Sequence, residues 1–251
     1  MLQINFLLLC CLFQPISLVQ DALVLDPISS EQICGEADHK NWDRLLHSFV
    51  DEKGNVNYQG FKKESEVLNR YLEQLGRDTV NENWSREKKL AYYINLYNAA
   101  TVKLILDNYP LASITDINKP WGKAWIKYGG EFISLGEIEH KVLRKMNEPR
   151  IHFAINCASY SCPKLLNEAY TEGKLDKQLD KASKDFVNDP SRNKISENKV
   201  ALSKIFKWYK KDFENNGSLI VYLNQYLKSP INTDVKIEYL KYNWSLNEIK
   251  Q

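Results

Sequence analysis

The chain has 251 residues, 43% of them hydrophobic and 26% charged, a balance that fits a soluble globular protein long enough to bury one sizeable core. Its formal net charge of +2 leaves no electrostatic footprint for nucleic acid, and no acidic or basic run marks a charged tail. No internal repeat, low-complexity tract or long Pro/Gly linker divides the sequence, so a single domain is expected over 41–250.

Residues 1–20 carry no charged side chain, and Phe6–Phe13 reads FLLLCCLF. That run suits a signal-peptide core and is too short to span a bilayer as a helix. The expectation is a leader over 1–20, a loose segment over 21–40 containing Pro27 and Ser29-Ser30, and a secreted or periplasmic chain. No stable membrane insertion should remain once the leader is removed. Setting aside Cys10 and Cys11 leaves Cys34, Cys157 and Cys162, an odd set in which one thiol is left over if a pair bridges. Asn83-Trp-Ser, Asn216-Gly-Ser and Asn243-Trp-Ser are formal glycosylation sequons.

From about Asn41, Trp42, Leu45, Leu46 and Phe49 keep helical spacing, and DEKGN then turns the chain. Leu68, Tyr71, Leu72 and Leu75 form the stripe of a second helix. Ser85 is a good N-cap for a longer helix through KLAYYINLYNAATVKLIL, stopped by Asn108 and Pro110. It is apolar on nearly every side, which predicts a buried central helix. Ala124–Leu135 predicts a hairpin, because Gly129-Gly130 can take the positive φ of a tight turn. Ser134-x-x-Glu137 is a capping box for the next helix, which carries EIEHKVLRKM.

Ile151, Phe153 and Ile155 alternate with His152, Ala154 and Asn156, which predicts a strand running out into a loop closed by Pro163. Leu179–Phe186 and Ile205–Phe213 predict helices, KISENKVAL a small hairpin, and VKIEYLKYNWSLNE a further strand. The fold class is α+β: a helix-rich single domain with a small, mostly antiparallel sheet.

The stretch Arg150–Pro163, RIHFAINCASYSCP, concentrates the groups able to do chemistry. Cys157 and Cys162 fall in its loop, where a thiol is bridged, ligated or reactive. A zinc site from His140, His152, Cys157 and Cys162 has suitable ligand types but no standard spacing, so no metal and no cofactor is assigned. Glu139 falls on the apolar face with Leu135, Ile138, Val142 and Met146, where a carboxylate needs a partner such as Arg150. His140 shares the other face with Glu137 and Arg144, toward water or a cleft. Asn95 and Asn98, one turn apart in the most apolar helix, either orient an imidazole, donate to an oxyanion or tie the helix to a loop. Tyr92, Tyr93, Tyr97, Trp121 and Trp125 read as core and rim.

WDRLLHSFVDEKGNVNYQGF, KLAYYINLYNAATVKLIL, SLGEIEHKVLR, PRIHFAINCASYSCP, FKWYKKDF and YLKYNWSLNE together resemble the Domain of Unknown Function 547 family, from Trp42 to about Glu248. The resemblance implies that the characteristic polar positions are Asn95, Asn98, Glu139, His140, Arg144, Arg150, His152, Asn156, Cys157, Ser161 and Cys162. Tyr93 and Asn243 stand where Trp and Asp are usual, the second bearing on a C-terminal contact. It implies a fold family and no reaction.

The leading expectation is an exported thiol-dependent hydrolase or acyl transferase acting on a small-molecule, peptide or cell-envelope substrate. Cys157 is its nucleophile and His140 its base, with Glu139, Asn95 or Asn98 orienting the imidazole. The alternation sends His152 to the face opposite Cys157, so His152 is the substitute base and Cys162 the substitute nucleophile. The alternative is a non-catalytic exported binding module with a structural Cys157–Cys162 disulfide.

Overall fold

In the computed structural model, residues 38–196 and 199–249 are described; the leader read over 1–20, Cys34 and nearly all of the 21–40 segment lie outside the described residues. The chain enters through α1 Lys40–Phe49, α2 Tyr58–Lys63 and α3 Ser65–Arg77. The turn at 51–55 and two of these helices match the sequence reading. Helix α2 was not anticipated, although Asn57 caps it by accepting the Gly60 amide.

Helix α4 Arg86–Asn108 starts as expected, with Ser85 Oγ accepting the Lys88 amide. Leu90 to Val102 are buried without a break, so this helix has no solvent face over that length and packs against α2 and α3. Strands β1 Ile126–Tyr128 and β2 Glu131–Ile133 pair antiparallel across Gly129 and Gly130, whose φ of 60° and 86° are the left-handed values the turn requires. Helix α5 Leu135–Glu137 begins at the predicted capping box, Ser134 Oγ taking the Glu137 amide and Glu137 the Ser134 amide. It continues through a π turn, Ile138–Val142, and a 3-10 turn, Leu143–Met146.

The strand expected at Ile151 is a 3-10 turn, Pro149–Phe153. All six residues from Ile151 to Asn156 are buried, so their alternation separates no inner face from an outer one. Ile151 packs into the cluster around α4, while Phe153 packs into a second cluster. This segment is the seam between two hydrophobic clusters.

The second cluster draws on α6 Leu175–Val187, β3 Lys194–Ser196, β4 Lys199–Leu202, α7 Ile205–Trp208, α8 Lys210–Phe213, α9 Leu219–Asn224 and β5 Ile237–Tyr239. One helix was expected over 205–213, but Tyr209 (φ −109°, ψ 24°) breaks it into two, and α9 was missed. Strand β4 pairs antiparallel with β3 and parallel with β5, so the small sheets are mostly antiparallel. The domain is helix-rich α+β. Among the described residues no helix is long and apolar enough to cross a membrane.

Two buried carboxamides tie α4 to the segments beside it. Asn98 Nδ2 donates to the Ala154 carbonyl at 3.0 Å while its Oδ1 accepts the Asn156 amide at 2.8 Å. Asn95 holds Tyr170 in the same two-bond manner, at 2.7 and 3.0 Å. Beyond β5, the stretch 242–249 lies over the loop after Asn156: the Tyr160 amide donates to Ser245 O, Ser161 to Asn243 O and Asn247 to Ala158 O. Asn243, in the position where Asp is usual, keeps this contact and accepts the Ser245 amide.

Removing the Asn98 amide group leaves one buried carbonyl and one buried N–H unpaired. Asn98→Ala should therefore lower stability by about 2 to 4 kcal/mol, read from the urea midpoint, and a shift under about 0.5 kcal/mol would refute the clamp.

His39, beside the start of α1, has Nδ1 2.7 Å from the Tyr71 hydroxyl. Burial lowers its pKa to about 4, against an opposing pull from Asp38. A depressed histidine pKa gives stability that is complete above the unfolded value near 6.5 and is lost as pH falls toward 4. Denaturation midpoints should therefore drop across that window by up to about 3 kcal/mol, and His39→Gln should flatten the drop. An unchanged pH slope in that variant would contradict the assignment.

Candidate active site

The seam segment, the turns after Ser134, α7 with Tyr209, and the 242–249 stretch meet around a cavity of about 340 Å³. Cys157, Cys162, His140, His152 and Glu139 all line it. Five of the seven residues singled out from the sequence therefore converge. Asn95 and Asn98 do not, because their amide groups are spent on the backbone of Tyr170, Ala154 and Asn156, the tie-to-a-loop role weighed from the sequence.

Cys157 follows Asn156, whose position Asn98 fixes, and precedes Ala158, a non-glycine residue at φ 57°. The two sulfurs are 2.9 Å apart and both thiols are free. Cys157 Sγ also lies 3.1 Å from Ser159 Oγ and 3.4 Å from the Tyr242 hydroxyl. With both thiols protonated Cys157 Sγ donates to Cys162 Sγ; burial pushes the Cys162 thiol up, so Cys162 keeps its proton and donates to Cys157 once Cys157 ionises. Hydrogen bonding from Cys162 first, and then from Ser159 and Tyr242, lowers Cys157 to about 7 against the effect of burial. Among the described residues, neither sulfur is hydrogen-bonded to an imidazole.

His152 is buried and stacks on Tyr209, ring centroids 3.9 Å apart. Its Nε2 is 2.8 Å from Asp212 Oδ2. Burial opposes ionisation of Asp212, but the Arg144 fork, at 2.6 and 2.8 Å, and His152 hold its carboxyl well below the usual range. An ionised carboxylate can only accept, so Nε2 carries the proton and Nδ1 is the free lone pair. That Nδ1 is buried and, among the described residues, has no hydrogen-bond partner. Burial also lowers the pKa of His152, keeping the ring neutral.

The expectation that His152 turns away from Cys157 fails, because it assumed a strand; on the 3-10 turn both residues line one cavity. His140 is half exposed, with Nδ1 3.3 Å from Arg144 and 3.8 Å from Glu139. Glu139 is buried as its apolar-face position predicted, but Arg150 pairs with Glu148 and Asp176 instead. Tyr97 donates weakly to Glu139 Oε2 at 3.5 Å, and Oε1 has no hydrogen-bond partner.

The remaining lining is largely aromatic. Trp208, Tyr242 and Trp244 pack on one another with centroids 4.5 to 5.7 Å apart, and Trp121 abuts Trp244. Asp212, Tyr242, Ser159 and Trp208 were not singled out from the sequence. Three of them stand in FKWYKKDF and YLKYNWSLNE, so the signal lay in those stretches, without a spacing to link them to Cys157. Among the described residues, no three His, Cys, Asp or Glu side chains are grouped to hold a metal ion.

No curated protein and no solved structure matches the chain. The family resemblance read from the motifs does find a match, over a span that holds the central helix, the capping-box helix, His152 and both cavity cysteines but stops before Asp212 and Tyr242. Residues 81–187 match the family model described as Protein of unknown function, DUF547.

Proposed function

We propose that the cavity is the active site of a thiol-dependent enzyme of the hydrolase or acyl-transferase kind, with Cys157 as nucleophile and His152 as base. The observation that carries this reading is the joint lining: a thiol disposed to ionise near pH 7 and a neutral imidazole with one nitrogen pinned by Asp212 and the other free. His152 replaces His140 as the base because a carboxylate fixes its tautomer, whereas His140 is half exposed beside Arg144. In this reading the Nδ1-to-sulfur hydrogen bond, absent among the described residues, forms in the loaded enzyme.

In this reading Nδ1 takes the Cys157 proton and the sulfur attacks an acyl carbon, placing the electron pair on the carbonyl oxygen. Collapse expels the leaving group, which takes the proton back from the imidazolium and leaves a thioester. Water, or an acceptor hydroxyl or amine in a transferase, then attacks with Nδ1 as base, and the released thiol is reprotonated. Export, as read from residues 1–20, would make the protein secreted or periplasmic and set it among small molecules, peptides and cell-envelope components.

The 2.9 Å sulfur separation also favours a second reading, a non-catalytic exported binding module in which Cys157 and Cys162 become bridged. A thiol count on protein purified without reductant separates the two. Loss of both thiols supports the binding module.

Iodoacetamide should label Cys157 in the wild type and label nothing at that position in Cys157→Ser. The rate should rise with pH to a midpoint near 7, since the thiolate is the reactive form. Cys162→Ala removes the largest favourable hydrogen bond and should move the midpoint upward. A midpoint at an ordinary thiol value in the wild type would sink the activation argument.

Against a panel of activated esters and thioesters, Asp212→Asn should lower turnover by about 10²-fold or more while iodoacetamide labelling persists. Equal turnover in that variant would remove His152 and Asp212 from the chemistry.

A further inference from the structure

The cavity's charged and aromatic lining points to the substrate class. Among the described residues no Lys or Arg lines it, although the chain as a whole is basic by two charges. Glu139, 5% exposed, stands in its wall; among the described residues its Oε1 makes no hydrogen bond and lies 3.8 Å from Nδ1 of the half-exposed His140, and Cys157 adds negative charge when ionised. Arg144 has its fork committed to Asp212. An anionic substrate would thus enter against the Glu139 carboxylate in a site of reduced dielectric, where charges act more strongly than in water.

The same lining offers the aromatic rings that organic cations prefer. Trp208 is 45% exposed, an unusual placement for the largest apolar side chain, and it stacks on Trp244 at 25° between ring planes. Tyr242 joins both, at 4.8 and 4.5 Å between centroids. A cluster of electron-rich rings sharing a cavity with a buried carboxylate matches the recognition of ammonium and quaternary ammonium groups.

We propose that the cavity selects substrates that carry an organic cation, held between the Trp208–Tyr242–Trp244 rings under the field of Glu139. The inference rests on the thiol reading for the reacting atom and names what that atom is offered.

The test compares two methanethiosulfonates of equal reach, one ending in trimethylammonium and one in sulfonate, for their rates of modifying Cys157. Each rate is divided by the same reagent's rate with free 2-mercaptoethanol. The normalised preference for the cation should be about 10-fold or more. It should shrink several-fold in Glu139→Gln and in Trp208→Ala, each corrected by that variant's own iodoacetamide rate. Equal normalised rates, or a preference untouched by both substitutions, would overturn the proposal while leaving Cys157 a reactive thiol. If no reagent reaches Cys157, the thiol reading fails on its own. Titration of tryptophan fluorescence with tetramethylammonium then decides the cation question. A saturable change, absent with tert-butanol and with pivalate, supports cation selection; no change, or an equal change with tert-butanol, overturns it.

Discussion

From the middle of the buried helix, Asn98 takes one carbonyl and one amide of the 154–156 segment, and the arrangement around Cys157 follows from that grip. Asn156, so placed, donates to the Pro163 carbonyl at 2.7 Å and accepts the Ala158 amide at 2.8 Å. Its two bonds close the loop that holds Cys157 against Cys162. Asn247 extends the chain of amides, accepting from Tyr58 at 2.7 Å and donating to Gly54. Buried carboxamides in series are worthwhile only when nearly every atom is paired, because each unpaired one costs about 1 to 3 kcal/mol. That condition is what makes the loop geometry single-valued. It also allows Ala158 to stay in the left-handed region, which costs a non-glycine residue about 1 to 2 kcal/mol.

Hydrogen bonding gives two buried neighbouring cysteines opposite properties. Cys162 is fully enclosed and keeps its proton; Cys157, partly open, receives hydrogen bonds from that thiol and from two hydroxyls and is drawn toward the thiolate. The acidic member is thus made by its neighbour's resistance to ionising. On the other wall the same trade operates between His152, kept neutral by burial, and Asp212, kept ionised by Arg144. Proton donors and acceptors in this cavity are sorted by their hydrogen-bond and charge partners as well as by burial.

Sequence periodicity exposed the elements whose patterns are local. Ser85 and Ser134 announced their helices, Gly129-Gly130 its hairpin, and the apolar run through α4 its enclosure, since each signal is written within a few residues. The Ile151–Ile155 alternation misled because a segment wedged between two cores is apolar on all sides, and a period of two then carries no facing information. Within the cavity, the clustered polar residues of 139–162 were visible as candidates, and Glu139 as buried. Asp212 was not, because its partners His152 and Arg144 lie 60 and 68 residues away and its local context is an ordinary lysine-rich short helix. Tyr242 escaped for the same reason, lying 85 residues from the sulfur it touches.

The lacing of 242–249 over the cysteine loop sets an order of assembly. During synthesis the central helix, its carboxamides and both cysteines emerge long before Tyr242 and Trp244, so a partly made chain holds two thiols without the tyrosine hydroxyl and aromatic wall that later confine them. Any partner that protects or oxidises those thiols has its widest access in that interval. Completion of the cavity is thus a late event in the life of the chain, separated in time from formation of the core that supports it.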